Sequence, residues 1–102
     1  MTHLPQGPLA VHVILTAQPG RRDEVVDILR GAFGRIRANE QACLHLAAHV
    51  AEGSDDVMLY ELWSDEDAFT AFVDRPDMVA YLADLDTRLI SRRASRWIRA
   101  TV

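Results

Sequence analysis

The sequence predicts one α+β domain, a four-stranded antiparallel sheet with its helices on a single face. Three observations lead there. Four segments rich in apolar and β-branched residues are separated by stretches whose apolar residues fall at helical spacing. The 102 residues suit one domain and leave no room for two. Apolar residues make up 49% and charged residues 25%, enough for a packed core and unlike a disordered or membrane-embedded chain.

Residues 1–8, with Pro5, Gly7 and Pro8, read as a loose leader to a single domain over 9–102. Leu9 to Ala17 is a strand buried on both faces, stopped by Gln18-Pro19-Gly20. From Arg21 to Arg37 the residues Val25, Ile28, Leu29, Ala32, Phe33 and Ile36 make one apolar stripe of a helix. Asp23 and Glu24 in its first turn and Arg35 and Arg37 in its last suit the helix dipole. Cys43 to Val50 and Val57 to Trp63 are strands two and three, paired through a turn at Glu52–Asp56. Ser64 can cap a short helix carrying Ala68, Phe69, Ala71 and Phe72, with acids in its first turn. Pro76 restarts a helix in which Met78, Tyr81, Leu82, Leu85 and Leu89 repeat. Ala94 to Val102 is the last strand, with Arg96 and Ile98 on one side and Ser95 and Trp97 on the other.

The order is therefore the ferredoxin-like β-α-β-β-α-α-β, with a split last helix. Helices on one face leave the other bare. Yet the strands are apolar on both faces, Val11, Val13 and Leu15 against Ile14, and Leu59 and Trp63 against Met58, Tyr60 and Leu62. A bare apolar face of that size marks an interface, and a homodimer joined sheet to sheet is the economical answer.

Composition narrows the function. The formal net charge is −4, which argues against nucleic acid as a partner even though arginines cluster from Arg88 to Arg99. No apolar stretch approaches membrane-span length and no signal peptide is expected. The single cysteine, Cys43, permits no internal disulfide and fits a cytoplasmic protein. No strong catalytic motif is present.

Candidate site residues are polar or aromatic insertions in apolar segments. His45 and His49, four apart, share a strand face, and His12 could join them. A three-histidine metal site is conceivable, but no acid falls among them; at least two are expected to be satisfied or edge histidines, and one could line a pocket as base or hydrogen-bond partner. Glu61 lies on the face of Trp63 and needs a partner if buried; an arginine partner in a structural role is the first expectation and a general base the alternative. Phe69, Phe72 and Tyr81 are first of all helix-to-sheet packing and could double as walls of a flat apolar pocket.

Four pieces together resemble the antibiotic biosynthesis monooxygenase family of dimeric α–β barrels: the strand ending at Pro19-Gly20 before a helix; Glu40-Gln41-Ala42-Cys43-Leu44 entering strand two; Tyr60-Glu61-Leu62-Trp63, matching an E-x-W signature; and Ser64-Asp65-Glu66-Asp67-Ala68 followed by Pro76. The likeness spans about residues 9–101. It implies an oxygenase without metal, flavin or other cofactor, acting on a small quinol- or anthrone-like aromatic with molecular oxygen. It also implies Trp63 and His49 as catalytic residues and His45, Leu59, Phe69, Phe72 and Tyr81 as substrate-binding ones. Leu59, Phe69 and Phe72 stand where members often carry asparagine, tyrosine and histidine, so the expected pocket is more apolar. Haem-degrading relatives need a strand-one asparagine and a histidine on the helix after the tryptophan; this chain has neither, and haem cleavage is not expected. The alternative function is a non-catalytic binding or pathway-accessory protein on the same scaffold.

Overall fold

The computed structural model describes residues 7–102; the expected leader falls largely on residues 1–6, outside the described residues. The elements run β1 (Leu9–Ala17), α1 (Arg22–Asn39), β2 (Cys43–Val50), β3 (Asp56–Trp63), α2 (Glu66–Val73), α3 (Pro76–Asp86) and β4 (Leu89–Ile98). The sheet is antiparallel with order β2-β3-β1-β4, the ferredoxin-like arrangement the element order predicts.

Strand alternation sets the two faces. In β1, Leu9, Val11, Val13, Leu15 and Ala17 are buried, while Ala10, His12, Ile14 and Thr16 are partly exposed. The first set points at the helices. The expectation of burial on both faces thus holds for one face only within a single subunit. In register with it, β3 turns Val57, Leu59, Glu61 and Trp63 toward the helices. α1 closes this face with Val25, Leu29, Ala32 and Phe33, and α2 and α3 add Phe69, Phe72 and Leu85. The far face carries no helix and exposes Tyr60 and Trp97, 38% and 60% accessible.

Two boundaries differ from expectation. β4 begins at Leu89, five residues before Ala94, and Leu89 is a strand residue rather than the last of the helical stripe. Its spacing of four from Leu85 fits a helix. However, the amides of Thr87 and Arg88 close the helix end on the carbonyls of Asp84 and Leu85, and Leu89 pairs with Ala17. Before α2 the cap is Asp65 rather than Ser64: the Asp65 carboxylate accepts from the Asp67 amide at 2.9 Å.

Candidate functional site

β3 and the two short helices build an aromatic cluster under the sheet. The Asp65 cap starts α2 so that Phe69 and Phe72, three residues apart, share its inner face. Trp63 is fully buried between them, its ring centre 5.3 Å from Phe69, edge to face, and 5.2 Å from Phe72, tilted. The indole Nε1 donates to Glu61 Oε1 at 2.9 Å. The expected arginine partner of Glu61 is absent among the described residues; the indole takes its place. Burial raises the Glu61 carboxyl above the ordinary carboxylate range, with the indole hydrogen bond pulling the other way. Cys43, across from Trp63, is held as a thiol, pushed up to about 11 by burial and by Glu61.

The sheet register separates the two residues expected to act together. β2 carries a bulge between Cys43 and His45, after which His45 pairs with Leu62 and His49 with Met58. Both histidines therefore stand on the helix-free face, where the His45 ring lies 5.7 Å from Tyr60. Trp63 and His49 occupy opposite faces and share no pocket within one subunit. His12, opposite Tyr60, is also on the helix-free face. Among the described residues no group of three His, Cys, Asp or Glu side chains could hold a metal ion.

The cavity nearest the cluster lies between α1 and α3. It is a cleft of about 180 Å³, with Ala32, Ile36, Phe72, Met78 and Tyr81 on its apolar side and Arg35, Asn39, Glu40, Arg75 and Asp77 on its polar side. Phe72 stands between the Trp63 indole and this cleft. Of the expected substrate-binding residues, Phe72 and Tyr81 line it; Leu59 and Phe69 are core side chains, and His45 is on the other side of the sheet. The Tyr81 hydroxyl is buried with no hydrogen-bond partner. Burial raises its phenol, the Arg35 charge opposes that and Asp84 adds to it.

Two arginines stand at the rim and differ in their commitments. Arg75 pairs with Glu40 and with Asp77 and lies 6.0 Å over the Phe72 ring. Its hydrogen bond holds Asp77 below the ordinary carboxylate range. Arg35 makes no ion pair among the described residues. Sequence reasoning took Arg35 only as a complement to the helix dipole and did not single out Ile36 or Met78 as site residues. The signal available was weak: Arg35 and Ile36 are one turn from Asn39 at the end of α1, and only the packing of α3 against them makes a cleft.

Residues 8–84 match the family model for antibiotic biosynthesis monooxygenase. No curated protein matches the sequence. Among solved structures, PA3566 from Pseudomonas aeruginosa is 20% identical and superposes with a TM-score of 0.79 over 94% of this chain and 97% of its own. Rv0793 from Mycobacterium tuberculosis is 16% identical, with a TM-score of 0.81 over 94% of this chain and 98% of its own. A conserved protein from Methanosarcina mazei Go1 is 13% identical, with a TM-score of 0.80 over 90% and 92%. At these identities the structures establish the fold and nothing further.

Proposed function

The chain belongs to the antibiotic biosynthesis monooxygenase family, and we propose that it oxidises a small single-ring quinol-like aromatic with molecular oxygen in the cleft between α1 and α3. One observation carries this reading. The buried Tyr81 hydroxyl has no partner, and Tyr81 lines a cleft that combines the Phe72 ring, Ala32, Ile36 and Met78 with a charged and polar rim. Such a combination, apolar walls with a few polar groups beside them, is what binds and orients a small aromatic. Size favours one ring. An apolar cavity of about 150 Å³ holds a benzene molecule, so about 180 Å³ leaves room for one ring and its substituents, while an anthrone would protrude.

The chemistry needs no cofactor beyond substrate and oxygen, but the phenolic proton needs an acceptor, here water at the cleft mouth. An electron-rich phenol that has lost its proton passes an electron to oxygen. One oxygen atom ends on a ring carbon as a carbonyl; the other leaves as water with the hydrogen from that carbon and the phenolic hydrogen. The protein's part is to hold the ring, donate from Tyr81 to the phenolic oxygen and keep bulk water away. Trp63 acts from behind by fixing the Phe72 wall, and His49, on the other face of the sheet, takes no part in this cleft. The working form in this reading is a cytoplasmic homodimer joined through the helix-free face, where Tyr60 and Trp97 would otherwise meet water.

A second reading, binding without turnover, is favoured by a specific observation. The rim carboxylates Glu40 and Asp77 are tied to Arg75, and the one carboxyl raised by burial, Glu61, is hydrogen-bonded to the indole of Trp63 behind Phe72. Oxygen uptake with a panel of single-ring hydroquinones on metal-free protein separates the two. Turnover that falls in Trp63→Phe and Tyr81→Phe but is unchanged in His49→Ala supports the enzyme. Binding without oxygen uptake across the panel supports the accessory protein.

A further inference from the structure

We propose that the cleft between α1 and α3 selects an aromatic ring bearing one carboxylate, seated between the Tyr81 hydroxyl and the Arg35 guanidinium. This rests on reading the cleft as the ligand site, and it specifies the ligand's charge and functional group.

The inference follows from which polar groups around the cleft are already committed. Arg75 is taken by both Glu40 and Asp77, a trio that carries one net negative charge and leaves that arginine no capacity for a further anion. Asp84, three residues beyond Tyr81 on α3, is taken by Arg88 at 2.8 Å. The Asn39 amide nitrogen donates to the Arg35 carbonyl at 2.9 Å. Two groups are left over. One is the buried Tyr81 hydroxyl with no partner. The other is Arg35, which lines the same cleft, makes no ion pair among the described residues and is near enough for its charge to act on Tyr81.

A buried hydroxyl without a partner and a guanidinium without a counter-ion converge on one missing group, an acceptor carrying negative charge. A carboxylate suits both. The planar guanidinium fork matches two carboxylate oxygens, and the hydroxyl can donate to one of them. A carboxylate also arrives ionised at neutral pH, whereas a phenol would need a base, and the acids nearby are bound to arginines. The apolar side of the cleft decides the rest: Phe72, Met78 and Ile36 offer flat contact to a ring.

Benzoate and its neutral isostere benzamide test this by calorimetric titration of the full chain at neutral pH, with methionine-methyl carbon-13 NMR to locate binding. Benzoate should bind about tenfold or more tightly than benzamide, and should shift the Met78 methyl while leaving Met58, on the helix-free face, unmoved. Arg35 is exposed, so Arg35→Gln should fold normally, erase the preference for benzoate and leave benzamide affinity unchanged. Tyr81→Phe should weaken benzoate binding severalfold. Equal affinities for the two probes, or undiminished benzoate binding in Arg35→Gln, would overturn the carboxylate assignment while leaving the cleft as an aromatic site. Neither probe moving Met78 would overturn both.

Discussion

Glu61 illustrates how one side chain carries an energetic cost that its neighbours only partly offset. Its carboxyl lies among Trp63, Cys43 and apolar strand residues, and among the described residues its only hydrogen bond comes from the indole. Because burial raises its ionisation point above the usual 4.5, the folded state holds this proton more tightly than the unfolded chain does. The associated stability is fully present below about pH 4.5 and is lost as pH climbs through the raised value. Glu61→Gln keeps the shape and an acceptor for the indole but has no charge to bury. It should raise the thermal midpoint at pH 7.5 and make no difference at pH 4, read by calorimetry at both. A midpoint gain that is the same at both pH values would mean that charge burial is not the cause. Residue patterning made half of this legible. Alternation along β3 put Glu61 and Trp63 on one face and Tyr60 on the other. The identity of the partner was not legible, because an indole donor two residues along the same strand competes with any arginine and needs no long-range contact. The face that His49 takes was not legible for a related reason. Which face it takes depends on how β2 pairs with β3, and the bulge after Cys43 fixes that pairing without any mark in composition.

At the level of elements, α2 depends on its cap. It has eight residues, too short to hold itself together, and its first free amides are met by Asp65. Asp65→Ala should destabilise the protein by about 1 kcal/mol in urea titration. Loss of that order would also loosen Phe69 and Phe72 around the indole, so near-ultraviolet dichroism should weaken in step. An unchanged urea midpoint would mean that the cap contributes nothing. Pro76 at the start of α3 follows the same logic. It holds Arg75 in an extended conformation, φ −63° and ψ 138°, which turns the chain between the two helices. Apolar periodicity found every element but missed the start of β4, where Leu85 and Leu89 keep helical spacing across a helix end. The cleft was out of reach for a different reason. Its walls come from α1 and from α2 and α3, separated by the hairpin of β2 and β3, and no local pattern encodes their distance.

For the whole molecule, the sheet has one side sealed by helices and one side left to water. Ile14, Met58, Tyr60, Leu62 and Trp97 all lie on that second side. A second copy would cover it, and sedimentation velocity at micromolar concentration should report a dimer. Tyr60→Arg combined with Trp97→Arg should shift the protein to single subunits without unfolding it, since both side chains are exposed. A wild-type chain that sediments as a single subunit would remove the dimer from the reading. The two borders of the sheet pose a separate problem. β2 is one of them, and a strand with free amides and carbonyls along its rim is a template on which a further strand can grow. The irregularity between Cys43 and His45 inserts Leu44 as an extra residue and breaks the repeat of that template. Fibril formation by edge-to-edge addition is thereby checked at its first step. Deleting Leu44 should restore an even ladder and raise thioflavin-positive aggregation on incubation, whereas an equally quiet deletion variant would show that the rim is guarded by something else.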